Sequence, residues 1–311
     1  MSKDKRLPDF LVIGAGKSGT TSINNYLAQH PQIFMSPVKE PNFFAYETID
    51  GDTLRHDPAQ YEYYLQSVTT LEAYQALFTA VQKNQIIGET SNTYLYTPAA
   101  AQRIKHHIPN AKLIAILRNP ADRLYSRFLH LAKYDQAPTQ DFSQVFDRNS
   151  IWWERPDLIH EGCYYTHLTN YYNLFEGRCI KVFLYEELKE NLQLVLSKIL
   201  EFLGVDHKFL PDTRVTYNKS GIVKNPMYNR ILGPDGVVQK IVKNLLPSSQ
   251  YELLKKNSFI YRTLDAFRDA NLHKPVLEKE IKSKLLNEVY YNEIQKLQFL
   301  IDRDLSSWLK A

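Results

Sequence analysis

The stretch that decides the fold is Phe10-Leu-Val-Ile-Gly-Ala-Gly-Lys-Ser-Gly-Thr-Thr-Ser22, an apolar run that ends in a cluster of glycine, lysine and hydroxyl residues. The β-branched residues Val12 and Ile13 are typical of a short buried strand. Beyond the cluster, Ile23 and Leu27 recur at helical spacing. The stretch therefore predicts a strand, a tight loop and a helix, in that order.

The loop between this strand and this helix has the composition of an anion-binding site. Glycines let the backbone turn sharply, so that successive amides and the positive end of the helix can face one ligand. The lysine in the middle of the turn adds a full positive charge. We expect a phosphate-type ligand, held by Gly16, Lys17, Ser18, Gly19, Thr20 and Thr21.

Two other interpretations of the loop remain. A glycine-rich turn between strand and helix can be a plain connection without a ligand. An ordinary nucleotide-triphosphate loop needs the pattern GxxxxGK[ST], but the residue five positions before Gly16 is Leu11. This spacing argues against a Walker-type kinase or GTPase and leaves a phosphate loop of the form GxGKSGTT.

The composition limits the class of protein. A chain of 311 residues can form one large domain, and a formal net charge of +4 is too mild for a dedicated nucleic-acid binder. Only Cys163 and Cys179 are present, which does not make a disulfide framework. The charged N-terminal segment and the lack of a long apolar stretch predict a soluble, cytoplasmic protein.

Further apolar runs alternate with helical patterns along the chain. The predicted strands after the first are Ile33–Met35, Gln85–Glu89, Ala111–Leu117 and Ile180–Leu184. This alternation is typical of a parallel sheet flanked by helices, and it predicts a single α/β domain. A helix is expected to begin at Thr97 with proline in its first position.

Polar residues follow two of these strands at the edge where a parallel sheet binds ligands. Glu40 stands between a lysine and a proline just after the second strand, although such a segment taken alone is more often an exposed charged turn. Arg118 ends the strand 111–117, and Ser126 follows eight residues later on a helix that Pro120 starts. Because arginine offers a fork matched to phosphate, this pair can hold a second phosphate.

With these motifs, the sequence resembles the sulfotransferases that use 3′-phosphoadenosine 5′-phosphosulfate (PAPS). The resemblance extends from about residue 9 to the C-terminus. The loop is similar to the family's 5′-phosphosulfate loop, and residues 117–126 resemble its 3′-phosphate motif. Lys39-Glu-Pro-Asn-Phe-Phe44 resembles the catalytic segment of the heparan-sulfate type of carbohydrate sulfotransferase. The late cofactor loop of that branch is matched by Asn218, Lys219, Ser220 and Gly221.

The resemblance implies the chemistry. Glu40 would be the general base for a hydroxyl acceptor, Lys17 would stabilise the leaving phosphate, and Arg118 and Ser126 would position the nucleotide. Adenosine 3′,5′-bisphosphate would be the product, and the scheme requires no metal. The chain departs from this branch at Thr90, where lysine is often found, and in lacking the branch's C-terminal cysteine pair and membrane anchor.

The resemblance to that branch implies a soluble, bacterial-type enzyme, with a carbohydrate as the expected acceptor and a lipid or other small alcohol as the alternative. Residues 45–84 and 222–275 are expected to be insertions that shape substrate binding. The sequence says nothing about the oligomeric state. Two other functions stay open: a nucleotide-dependent kinase, and a non-catalytic module that binds adenosine bisphosphate.

Overall fold

The computed structural model describes residues 6–133, 136–139, 141–213, 222–223, 272–273 and 275–310. The chain divides into two compact units. The first comprises Met1–Leu124, Ser143–Tyr217 and Lys279–Ala311, and the second comprises Tyr125–Phe142 and Asn218–Glu278. The predicted late cofactor loop and nearly all of the segment 222–275 lie outside the described residues.

The first unit is built on a five-stranded sheet in which every neighbouring pair of strands is parallel. The order across the sheet is β2-β3-β1-β4-β5, which places the first strand in the middle. The expected α/β fold with a central parallel sheet is confirmed. The strands are β1 Phe10–Gly14, β2 Ile33–Met35, β3 Ile86–Thr90, β4 Lys112–Leu117 and β5 Ile180–Leu184.

Helices connect the strands and cover the sheet. Numbered in chain order, they are α1 Thr20–Leu27, α2 Phe43–Tyr46, α3 Pro58–Leu65, α4 Leu71–Ala76, α5 Thr93–Tyr96, α6 Ala100–His107, α7 Pro120–Lys133, α8 Ile151–Glu154, α9 Tyr164–Tyr172, α10 Tyr185–Glu190, α11 Leu192–Leu203, α12 Lys279–Leu285 and α13 Tyr291–Ile301. A π-helical turn, Leu286–Tyr290, joins the last two. None of the described helices is long and apolar enough to cross a membrane.

Two details of the helices can be compared with the sequence patterns. Pro120 is the first residue of α7, as expected, and Gly204 ends α11 with a φ of 80°. The expected helix start at Thr97 is wrong: α5 ends one residue earlier, and α6 begins at Ala100. Thr97 instead has extended backbone between two helices, so its side chain does not cap the later one.

The core is formed on both faces of the sheet. On one face, Val12 and Ile114 pack with residues of α1 and α11 such as Ile23 and Ile199. The alternate residues of the central strands, such as Leu11, point to the opposite face and are also fully buried. Burial on both faces is the usual state of a parallel sheet, and it leaves the carboxyl ends of the strands as the place for a site.

The second unit contains the rest of α7 and a short ladder. Tyr125 and Phe128 on this part of the helix pack against Phe142 with ring centroids 5.0 Å and 5.2 Å from it. Two short strands, β6 Ile222–Val223 and β7 Leu272–His273, pair in the antiparallel direction. Ser126 is a buried residue of this unit.

Candidate active site

The phosphate loop leaves the centre of the sheet at β1 and enters α1. Its first residue, Ala15, donates a backbone hydrogen bond of 2.8 Å to the Ile116 carbonyl of β4. Lys17 has a φ of 65° and Gly19 a φ of 91°, both in the left-handed region. Glycine adopts such angles without strain, whereas lysine does so at a cost. The loop thus holds its lysine in a strained conformation, which is common at functional sites.

The loop has room and donors for an anion. Gly19 caps the helix α1 without a side-chain hydrogen bond, so the first amides of the helix are not satisfied by a capping side chain. Among the described residues, the Ser18 hydroxyl is fully buried and has no hydrogen-bond partner. An orphaned hydroxyl beside a lysine and a helix N-terminus fits a phosphate or phosphosulfate group.

Arg118, which follows β4, is directed at the phosphate loop. Its Nη1 atom donates a 3.1 Å hydrogen bond to the Lys17 carbonyl, and its guanidinium lies 4.8 Å from the ring centroid of Tyr185. The Tyr164 hydroxyl donates to the Arg118 carbonyl over 3.0 Å. The structure therefore brings together Lys17 and Arg118, while Ser126 belongs to the second unit and its pairing with Arg118 stays a prediction.

Glu40 lies beside the end of β3, one strand away from β1. Its amide donates a 2.9 Å hydrogen bond to the Thr90 carbonyl, and the amide of Ser91 donates a 3.1 Å bond to the Val12 carbonyl. These two bonds join the segment after β2 to the strand that carries the phosphate loop. The predicted base and the predicted anion loop thus lie at the same edge of the sheet.

Two side chains contact the Glu40 carboxylate. Asn92 donates a hydrogen bond of 2.9 Å to its Oε1 atom, and Lys39 forms an ion pair with it. About a quarter of the Glu40 side chain, 27%, stays exposed. Glu40 has a φ of 57°, so its backbone is held in the left-handed region, as that of Lys17 is. The carboxylate is oriented by its neighbours and remains accessible to a ligand.

A buried acid in β3 is linked by hydrogen bonds to the turn that contains Glu40. Glu89, fully buried in β3, accepts hydrogen bonds from Tyr74 at 3.1 Å and from Ser91 at 2.9 Å. Ser91 in turn accepts a 3.0 Å bond from the amide of Asn42. The pKa of Glu89 is raised from 4.5 to about 7, mainly by burial and to a smaller extent by the neighbouring Glu40, and the hydrogen bonds that it accepts partly oppose this shift. Glu89 holds the turn that presents Glu40.

One acid in the site is marked by no motif in the sequence. Glu161 is 3% exposed and accepts a 2.6 Å hydrogen bond from the amide of Gly16. Its other oxygen lies 2.6 Å from the guanidinium of Arg123, which is fully buried in α7. The only local signal is its place directly before Gly162 at the start of a helical pattern, and such a position is ordinary. No group of histidine, cysteine, aspartate and glutamate residues in the described ranges could hold a metal ion.

The chain is similar to known proteins in both sequence and structure. Residues 8–209 match the model of the Sulfotransferase family. Among solved structures, a sulfotransferase from Alicyclobacillus acidocaldarius superimposes with a TM-score of 0.67 at 26% identity, covering 97% of this chain and 99% of that one. The resemblance to a bacterial sulfotransferase is therefore found in both sequence and structure.

Several similar curated proteins are named as heparan sulfate or carbohydrate sulfotransferases. The bifunctional heparan sulfate N-deacetylase/N-sulfotransferase 1 of Caenorhabditis elegans is 26% identical over 275 residues, covering 81% of this chain and 30% of the relative. Human carbohydrate sulfotransferase 15 is 26% identical over 247 residues, covering 64% of this chain and 44% of the relative. This chain thus spans less than half the length of these relatives. On the match over residues 8–209, the chain belongs to the sulfotransferase family.

Proposed function

We propose that this protein transfers a sulfuryl group from PAPS to a hydroxyl group of an acceptor, with Glu40 as general base. The observation that carries the proposal is the position of Glu40 and the Lys17 loop at one edge of the sheet, joined through hydrogen bonds of Thr90 and Ser91. A transfer between two ligands needs an anion site and a base in one place. This arrangement supports the assignment of both.

The phosphate loop is the proposed site of the 5′-phosphosulfate group. The amides from Lys17 to Thr21 and the side chains of Lys17 and Ser18 would bind it, because the buried Ser18 hydroxyl otherwise lacks a partner among the described residues, whereas the amide of Gly16 donates to Glu161. Arg118 lies against this loop and would position the nucleotide. Ser126 and the segment 218–221 are proposed for the 3′-phosphate side on the strength of the sequence motifs.

PAPS supplies the sulfuryl group and leaves as adenosine 3′,5′-bisphosphate. The Glu40 carboxylate would accept the proton of the acceptor hydroxyl while the acceptor oxygen forms a bond to sulfur and the bond from sulfur to the phosphate oxygen of PAPS breaks. Lys17 and the loop amides stabilise the charge that develops on the departing phosphate oxygen. Lys39, which pairs with Glu40, is the cation we propose in place of the lysine that Thr90 replaces.

A cavity of about 170 Å³ next to this centre is the proposed place of the acceptor. The short helices α2 and α5 begin directly after Asn42 and Asn92 in the site and end at Tyr46 and Tyr96, which line the cavity. Each helix spans about 6 Å. The hydroxyls of both tyrosines form no hydrogen bond with a described residue, so they can bind hydroxyl groups of a ligand. Gln60 and Tyr63 also line it.

At about 170 Å³ the cavity is smaller than the pockets of drug-sized ligands, which measure roughly 300 to 1,000 Å³. It therefore favours an acceptor that inserts a single ring. Carbohydrate is the class that the named relatives support, and a lipid or another small alcohol is the alternative. Residues between 45 and 63 form part of the cavity lining, which supports the proposal that the segment 45–84 shapes substrate binding. We propose that this segment belongs to one sulfotransferase domain that spans residues 1–311. The same role for 222–275, and a cytoplasmic location, stay predictions.

Calorimetric titration with adenosine 3′,5′-bisphosphate, beside ATP with magnesium, tests the cofactor. We expect tight binding of the bisphosphate alone, weakened by Lys17→Ala and by Arg118→Ala. Exposed Lys181→Ala on β5 is the matched control. Preference for ATP would overturn the proposal and favour a nucleotide-dependent kinase.

A second assay tests catalysis. PAPS and a panel of sugars, lipid alcohols and phenols are incubated with the protein, and release of bisphosphate is measured. Glu40→Gln should keep bisphosphate binding and lose transfer. Binding without transfer to any acceptor class in the wild-type protein would instead identify a binding module.

A further inference from the structure

The amide of Gly16 is already engaged in the protein. It donates to the Oε1 atom of Glu161 at 2.6 Å, across 145 residues of sequence. A β-carbon at position 16 would lie 2.9 Å from the same oxygen, closer than real β-carbons approach other atoms. A side chain at position 16 would have to displace the carboxylate, so the loop and the acid fit each other closely.

The loop is held from two sides by groups of opposite charge. Glu161 accepts from the amide that precedes Lys17, and Arg118 donates to the carbonyl of Lys17 over 3.1 Å. The Arg118 bond acts on Lys17 itself, whose φ of 65° is unfavourable for lysine, and the Glu161 bond acts on the residue before it. A strained conformation persists only when its surroundings determine it, and these two contacts contribute to that.

A carboxylate beside an anion loop would ordinarily repel the ligand. Arg123 removes this conflict: its Nη1 atom lies 2.6 Å from Glu161, and the same guanidinium donates to the carbonyls of Asp157 and Leu158. Arg123 has no exposed surface and Glu161 has 3%. At such burial the opposite charges interact strongly, so the pair presents little net charge to the loop.

We infer that Glu161 is a positioning residue for the phosphate loop: it holds the amide of Gly16, and Arg123 cancels its charge so that an anion can still bind. The inference deepens the proposed function, since the anion is taken to be the phosphosulfate end of PAPS. The opposite interpretation is that Glu161 substitutes for the ligand's anion and must be displaced when the ligand binds. Loss of Glu161 should weaken anion binding under the first interpretation and strengthen it under the second.

A matched pair of variants separates them. Glu161→Gln and Glu161→Ala both remove the charge, but only glutamine can accept the hydrogen bond from Gly16. Positioning predicts that adenosine 3′,5′-bisphosphate binds about 10-fold more weakly to Glu161→Ala than to Glu161→Gln. Equal affinity, or tighter binding to the alanine variant, would overturn it. Glu161→Met, which fills the space without accepting a hydrogen bond, should behave like alanine and replaces it if that variant fails to fold.

A second readout does not depend on the ligand. Hydrogen exchange at the Gly16 amide in the ligand-free protein should be slow in wild type and in Glu161→Gln, and at least about 10-fold faster in Glu161→Ala. If wild type does not bind bisphosphate, the proposed function fails, yet the exchange rates still decide whether Glu161 holds the loop.

The control pair is Glu47→Gln and Glu47→Ala. The Oε1 atom of Glu47 lies 2.7 Å from the Nε2 atom of His107, and the Glu47 side chain is also largely buried. It does not contact the loop. These variants should differ neither in bisphosphate affinity nor in Gly16 exchange. A difference as large as that at position 161 would show a general effect of losing a buried acid and would contradict the inference.

Discussion

The side-chain amide of Asn92 donates a 2.9 Å hydrogen bond to the Oε1 atom of Glu40. The two residues come from different segments, one after β3 and the other after β2. A hydrogen bond to a charged group contributes about 1.5 to 3 kcal/mol, enough to select one orientation of the carboxylate. Asn92 therefore aims the proposed base.

The first prediction concerns this orientation. Asn92→Ala should lower kcat for sulfuryl transfer about 10-fold and leave bisphosphate affinity unchanged, because Asn92 contacts the base and not the phosphate loop. Steady-state kinetics and calorimetry measure the two effects. Exposed Asn149→Ala serves as the control, and a loss of bisphosphate binding in Asn92→Ala would contradict the assignment.

The second prediction separates the two roles of Lys17. Lys17→Gly and Lys17→Ala should both lose bisphosphate binding with the ammonium group. Because the φ of 65° suits glycine, Lys17→Gly should have a free energy of unfolding about 1 kcal/mol higher than Lys17→Ala. Urea denaturation measures the difference. Equal stability of the two variants would show that the left-handed conformation is not kept.

The third prediction follows from the buried Glu89. Burial raises its pKa to about 7, so between about pH 4.5 and pH 7 the folded protein binds more protons at this position than the unfolded chain. The contribution of Glu89 to stability is full below about pH 4.5 and is lost as the pH rises to 7. The expected loss is at most about 3 kcal/mol, at about 1.4 kcal/mol per pH unit.

Glu89→Gln checks this effect. The variant should lack the Glu89 part of the pH dependence, and it should be more stable than wild type at pH 8. Unfolding with urea at several pH values measures both. Exposed Glu190→Gln is the control and should follow wild type. A Glu89→Gln variant that is less stable than wild type at pH 8 would mean that the hydrogen bonds from Tyr74 and Ser91 outweigh the burial of the charge.

The fourth prediction concerns the acceptor cavity. Tyr46→Phe and Tyr96→Phe remove only hydroxyl groups that form no hydrogen bond with a described residue. They should raise KM for the acceptor severalfold while the free energy of unfolding and bisphosphate affinity stay within error. Tyr171→Phe is a control that removes a hydroxyl with a partner, since this hydroxyl donates a 2.6 Å hydrogen bond to the Tyr94 carbonyl. This variant should have a lower free energy of unfolding. Unchanged KM in both cavity variants would place the acceptor elsewhere.

The sequence predicted the parts of the site that depend on local chemistry. Apolar runs bounded by turn residues located all five parallel strands. The turn chemistry of Gly16 to Thr21 indicated an anion loop, and Pro120 marked the start of α7. The prediction that a helix starts at Thr97 was wrong, because the capping preference of a single residue is weak and the packing of the chain overrides it.

By itself, then, the sequence determined the α/β class, the tight loop with Lys17 between the first strand and the first helix, and an acid after the second strand, because periodicity and turn preferences act over a few residues. The tertiary structure decided which side chains meet. Once β3 lies between β2 and β1, Asn92 reaches Glu40, and the turn before α9 brings Glu161 to Gly16 across 145 residues. Hydrogen bonds between such distant residues depend on strand order and helix packing, which no local pattern encodes.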